Sequence, residues 1–117
     1  MPRSLRQTEP SNKDIAAIWE YTSRTYGVEQ ADAYIDVLSQ AFRDIQEYPE
    51  RPSSQGRPDL GDCVRSFHIK NSTRRSSSEI KAPRHIVFYS LKYDDEIVVL
   101  RVLHERMDIE RHIADET

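Results

Sequence analysis

Residues 84–112 read RHIVFYSLKYDDEIVVLRVLHERMDIERH, and the reading of this stretch decides the fold. Two runs rich in β-branched and aromatic residues, His85 to Lys92 and Ile97 to Leu103, flank an acidic turn at Asp94-Asp95. That pattern predicts an antiparallel hairpin. The apolar content (Ile86, Val87, Phe88 and Tyr89, then Ile97, Val98, Val99, Leu100, Val102 and Leu103) is too continuous for a sheet wetted on one side. Both faces of these strands are therefore expected to be at least partly covered. The second run ends in a charged tail, His104-Glu105-Arg106-Met107-Asp108, with Arg111 and His112 beyond. A polar cluster at a strand exit is where a small domain can present chemistry or meet a partner.

Upstream, Val64 to Lys70 alternates strictly, with Val64, Ser66, His68 and Lys70 on one face and Arg65, Phe67 and Ile69 on the other. This predicts a third strand. Residues 71–83 are polar and nearly low-complexity, and are expected to form a flexible excursion between strands. Residues 49–63 carry Pro49, Pro52, Gly56, Pro58 and Gly61 and read as a loop.

Two helices precede that loop. Ser11 is the expected N-cap of the first, with Asp14 three residues on. Ile15, Ile18, Trp19, Thr22 and Tyr26 follow helical spacing, and Gly27 suits the C′ position. In the second, Glu29 and Asp32 favour the N-terminal turns, and Ala31, Tyr34, Ile35, Leu38, Phe42 and Ile45 form one apolar stripe that ends before Pro49. So short a connection forces the helices antiparallel. Residues 3–8 read as a short edge strand stopped by Glu9-Pro10. The expectation is a single α+β domain over 1–117, ordered β-α-α-β-β-β, with an antiparallel helical hairpin packed on one face of an antiparallel sheet.

Composition narrows the function classes. The 117 residues are 37% hydrophobic and 32% charged, with a net charge of −3, so nothing draws the whole chain toward nucleic acid or anionic lipid. The charge is divided, though. Residues 9–62 hold eleven Asp/Glu against five Lys/Arg, and residues 64–106 hold nine Lys/Arg against five Asp/Glu. An acidic helical layer and a basic sheet layer hint at an acidic partner for the sheet. The single cysteine, Cys63, excludes an internal disulfide and has no activating neighbour in the sequence. There is no signal-peptide profile and no apolar run near the roughly 20 residues of a membrane span. A cytoplasmic protein without membrane contact is expected.

The candidate chemistry is modest. His104, Asp108 and His112 lie at i, i+4, i+8, which on one helix would bind a divalent metal. His104 ends a strand, so neither a metal nor another cofactor is assigned. Arg65, Arg84, Arg101 and Arg106 with His104 supply the residue types a nuclease uses to hold phosphates and move protons. Four lysines in an acidic chain argue against that use. Arg74 and Arg75, with Lys70, Lys81 and Arg84 nearby, have no interleaved aromatics and read as a solvated loop. Trp19, Tyr21, Tyr26 and Tyr34 read as core or hairpin contacts, some of them available as aromatic anchors for a partner.

Four segments together resemble the ParE toxins of the ParE/RelE toxin–antitoxin superfamily. They are Ile18-Trp19-Glu20-Tyr21; Gly27 through Gln30-Ala31 with Tyr34 to Leu38 and Phe42; Pro49 and Gly56-Arg57 followed by Val64-Arg65-Ser66-Phe67; and Arg84 to Tyr89 with Ile97 to His104, Arg106-Met107-Asp108 and His112. The R-V-L-H-x-R-M-D-x3-R-H tail is the most specific of these. The 71–83 excursion is longer than the tight turn of many members. The resemblance implies a toxin that inhibits DNA gyrase by binding rather than catalysis, held inactive by a ParD-like antitoxin whose C-terminal segment wraps it and covers apolar surface. On this basis Trp19, Tyr34, Arg65, Arg84, Arg101, His104, Arg106, Asp108 and His112 are the expected partner-binding residues, and none is assigned a catalytic role. Two alternatives stand beside it: a RelE-like ribosome-dependent endoribonuclease, and an inactive relative that only binds its antitoxin and helps repress their promoter.

Overall fold

A computed structural model of the chain describes residues 3–73, 80, 82–107 and 109. The elements in chain order are β1 (Ser4–Gln7), α1 (Glu9–Tyr26), α2 (Val28–Glu47), β2 (Gln55–Gly56), β3 (Val64–His68), β4 (His85–Ser90) and β5 (Glu96–His104). A single turn of 3-10 helix, Ile69–Ser72, follows β3. The expected α+β architecture is present, with the helical hairpin lying on one face of the sheet. The sheet itself departs from the expectation. Its order is β1-β5-β4-β3-β2, and β1 pairs parallel to β5, so it is mixed rather than antiparallel. The reason is topological: the two antiparallel helices return the chain to the end of the sheet from which it started. A second departure is β2, which lies inside the presumed 49–63 loop and pairs Gln55 with Ser66 and Gly56 with Arg65.

The first helix starts earlier than expected. Thr8, not Ser11, is the N-cap, and its hydroxyl accepts the Ser11 backbone N–H at 3.2 Å. Pro10 does not delay the helix, because a first-turn N–H has no intrahelical acceptor to lose. Ser11 is instead fully buried and donates to the Thr8 carbonyl at 2.8 Å. Gly27 alone joins the helices. Its φ of 98° and ψ of 162° belong to a region kept almost wholly for glycine, its N–H caps Ser23, and its carbonyl accepts from Ala31.

The helix face of the sheet is closed. Ile18, Tyr34, Val37, Leu38, Ala41 and Ile45 pack on Phe67, Ile69, Val87, Tyr89, Ile97, Val99 and Val102. Of the expected α1 stripe, Ile18 and Thr22 are buried, while Trp19 and Tyr26 reach the surface. The opposite face holds Val64, Phe88, Val98, Leu100 and Leu103, covered by Leu60 from the loop after β2 and flanked by Ile86 and Ile109. The Arg57 guanidinium sits 5.8 Å from the Phe88 ring centroid and forks onto Asp59, holding that carboxyl below its ordinary range. The chain thus supplies much of the second cover itself. The remainder is a shallow hollow of about 460 Å³ over Val64, Val98 and Leu100, rimmed by Arg6, Lys92 and the exposed Cys63.

Two polar anchors fix the layers. Asp14 on α1 takes Arg101 in a two-pronged pair at 2.7 and 2.8 Å and also accepts the Val102 N–H at 3.0 Å. That N–H lies past the end of β1, next to a bulge that leaves Leu100 unopposed between Val99 and Arg101. Asp44 on α2 is fully buried and accepts from Ser72 Oγ at 2.6 Å and Gln40 Nε2 at 2.9 Å, tying the 3-10 turn to the helix. The strand expected to run on to Lys70 ends at His68, whose Nδ1 accepts the Lys70 N–H and caps that turn.

Candidate partner-binding site

Beyond Ile18, α1 borders a groove at the end of the sheet. Its wider part, about 590 Å³, lies between the helical tip (Tyr21, Thr22, Tyr26, Gln30, Tyr34) and the sheet end (Ile80, Ala82, Arg84, His85, His104). A further hollow of about 350 Å³ shares Tyr21, Thr22, His85 and His104 and runs back along α1 to Ala17 and Asp14, with Val102, Leu103 and Met107 on its other side. The two hollows adjoin at these four shared residues. Their outer wall is aromatic and exposed, with Tyr21 at 66% and Tyr26 at 67%.

The floor is polar but self-satisfied. The Arg84 backbone N–H donates to Tyr34 Oη at 3.0 Å, and the same oxygen shares a hydrogen bond with His85 Nδ1, 2.6 Å away. Burial raises the Tyr34 pKa and, with the neighbouring His104 and His68, lowers that of His85 to about 4. His85 is therefore neutral at physiological pH. Its ring meets those of Tyr34 and His104 edge-on, with centroids 5.5 and 5.4 Å away. The His104 Nδ1 accepts the Arg106 N–H, which turns the chain out of β5. Around the corner, Glu105 bridges Arg84 and His68.

Of the expected partner-binding residues, the structure brings Tyr34, Arg84 and His104 together on this groove. Arg106 is exposed on the adjoining turn. Trp19 is 37% exposed on the outer helix face and donates from Nε1 to Asp32 Oδ1 at 3.0 Å, bracing the hairpin. Arg65 and Arg101 lie elsewhere and are held inside the fold. Arg65 donates twice to Ser54 Oγ, and Arg101 is paired with Asp14 at 17% and 13% side-chain exposure. Asp108 and His112 lie outside the described residues, as do Arg74, Arg75 and Lys81. His104 belongs to a strand, so the i, i+4, i+8 face for a metal does not form from it. Sequence reasoning gave no role to His85 or Glu105. A hairpin centred on Asp94-Asp95 does place position 85 opposite 104, as observed, and that arithmetic was the available signal. The cations a nuclease would need to converge on one phosphate are spread over separate parts of the sheet, each of Arg65, Arg84 and Arg101 engaged by its own partner.

The family described as the ParE toxin of the type II toxin–antitoxin system parDE matches residues 5–109. The chain belongs to this family. It is 31% identical over 112 residues to Toxin ParE1 of Caulobacter vibrioides, covering 96% of this chain and 99% of that one. It is 29% identical over 96 residues to Toxin ParE1 of Mycobacterium tuberculosis, covering 82% and 83%. Among solved structures, a chain of a chromosomal ParDE system from P. aeruginosa superposes with a TM-score of 0.65 at 20% identity, over 87% of this chain and 95% of that one. A chain of the RelBE2 toxin–antitoxin complex from M. tuberculosis gives 0.53 at 18%, over 89% and 99%. At those identities the superpositions speak for the fold, which both systems share with this ParE-family chain. Among the described residues, no helix is long and apolar enough to cross a membrane.

Proposed function

We propose that this ParE-family toxin acts in the cytoplasm by binding DNA gyrase directly, without turning over a substrate, and that a ParD-like antitoxin neutralises it. Membership of the ParE toxin family over residues 5–109 carries this reading. The groove supplies a seat for the antitoxin's C-terminal segment. It is aromatic on its exposed wall and also lined by Ile80, Ala82, Val102 and Leu103, and helix-in-groove recognition lays the apolar face of an amphipathic helix into such a surface. An exposed Tyr21–Tyr26 wall fits the enrichment of aromatic anchors at such interfaces.

The test is gyrase-catalysed supercoiling with purified toxin. Inhibition with accumulation of cleaved DNA, reversed by the protein encoded in the adjacent reading frame, supports the proposal. Undiminished supercoiling at large toxin excess contradicts it. Cleavage of messenger in a translation extract would support the RelE-like nuclease instead, and harmless expression without antitoxin would support an inactive, antitoxin-binding relative.

A further inference from the structure

The turn after β5 is pinned on both sides. The Arg106 N–H donates to His104 Nδ1 at 3.1 Å, and the Met107 N–H donates to the His104 carbonyl at 3.0 Å. Just beyond, Ile109 packs against the Phe88 and Leu103 cluster on the sheet face away from the helices. Met107 is therefore held where the chain rounds the sheet end. It lines the smaller hollow of the groove with Ala17, Ile18 and Tyr21 of α1 and Val102 of β5. The residue is 38% exposed, so small solutes in the surrounding water can reach it. The chain holds one other methionine, Met1. A thioether is a soft, apolar and adaptable contact, suited to meeting the apolar face of a docked helix. It is also open to oxidation. With hydrogen peroxide, the sulfur lone pair takes one peroxide oxygen: an S–O bond forms, the O–O bond breaks, sulfur gives up two electrons and the peroxide is reduced to water. The sulfoxide puts a polar acceptor into an apolar stretch of the wall. A docked segment that offers it no donor would bury that acceptor unpaired, which disfavours binding.

We propose that Met107 is an oxidation-sensitive contact of the groove: peroxide converts it to the sulfoxide, and the modified toxin holds the antitoxin segment less tightly. The inference rests on the groove being the antitoxin's seat. A segment seated there also covers Met107, so the bound toxin oxidises more slowly than the free one.

The experiment is calorimetric titration of the full-length toxin with a synthetic peptide copying the C-terminal segment of the protein encoded beside it. The toxin is titrated before and after treatment with hydrogen peroxide and its removal, and mass spectrometry of proteolytic fragments reads the state of Met107. Conversion of Met107 is expected to weaken binding about tenfold, and methionine sulfoxide reductases should restore it. The unfolding midpoint should hold, because the side chain is at the surface. Met107→Leu keeps the apolar bulk without the sulfur, and should bind like wild type and ignore peroxide. Met107→Gln is polar without any oxidant, and should bind like the oxidised protein. Saturating peptide should slow the conversion of Met107. Equal affinity of oxidised and reduced wild type, or equal conversion with and without peptide, would overturn this inference while leaving the groove intact. A peroxide-induced loss that persists in Met107→Leu would belong to Cys63 or Met1 and would overturn it as well. A reduced wild-type toxin that does not bind the peptide would overturn the groove reading, and this one with it.

Discussion

The two halves of α1 do different work, although one continuous helix carries both. The N-terminal half is fastened to β5. The Thr8 backbone N–H donates to Val99, the Thr8 hydroxyl to Leu100, and Asp14 holds Arg101 and the Val102 N–H. Among the described residues, the C-terminal half, from Trp19 to Tyr26, makes no comparable bond to the sheet, and it exposes Tyr21 and Tyr26 over a groove. Fold stability is concentrated where the sheet edge needs partners beyond the end of β1. The other half is left to present surface. On the function proposed above, the open end of α1 is the surface offered to a partner, and the opposite end of the same helix is fixed to the sheet.

Breaking the fixed half should have the largest effect. Asp14→Ala removes the two-pronged carboxylate on a mostly buried Arg101 and the acceptor of the Val102 N–H, and is expected to cost about 3–4 kcal/mol in denaturant-unfolding free energy. A cost below about 1 kcal/mol would remove the distinction between the halves.

The groove half should respond to acid. The folded His85 pKa of about 4 lies below its ordinary 6.5, so the unfolded chain takes up the proton first as pH falls. The associated stability is complete above pH 6.5 and is lost between 6.5 and 4, in total about 2–3 kcal/mol. His85→Gln, which keeps an acceptor for Tyr34, should flatten stability across that window. A wild-type curve that is already flat there would refute the assignment. Tyr34 and His104 meet this imidazole directly, and the charges of His68, Asp14 and Glu105 act on it from farther off.

Gly27 closes the free end of α1. A Cβ there meets nothing within 4 Å, so Gly27→Ala tests backbone strain alone and should cost about 1–2 kcal/mol. A neutral result would mean that the helical tip readjusts freely.

The contrast between the halves also explains what the sequence revealed. Helical spacing exposed both helices, strict alternation exposed β3, and continuous β-branched and aromatic runs, buried on both faces, exposed β4 and β5. Arg101 stood out by type and was expected to bind a partner, whereas its carboxylate Asp14 lies 87 positions away and read as part of a helix-capping arrangement. The parallel pairing of β1 and the two-residue β2 were not legible, since four and two residues carry no periodicity. The groove was half visible. Tyr34, Arg84 and His104 stood out by type, but the exposure of Tyr21 and Tyr26 depends on where the sheet ends relative to α1, which no local pattern encodes. Asp44 was silent for the same reason, because its partner Ser72 belongs to a turn that forms only after β3 ends.

The most direct test of this division uses the Tyr21→Ala/Tyr26→Ala variant, measured by thermal unfolding and by calorimetric titration with the antitoxin's C-terminal peptide. Both side chains are about two-thirds exposed, so stability should stay within about 0.5 kcal/mol of wild type. Affinity should fall about tenfold or more, because the aromatic wall is gone. Undiminished affinity, or affinity lost only in step with the fold, would contradict the account.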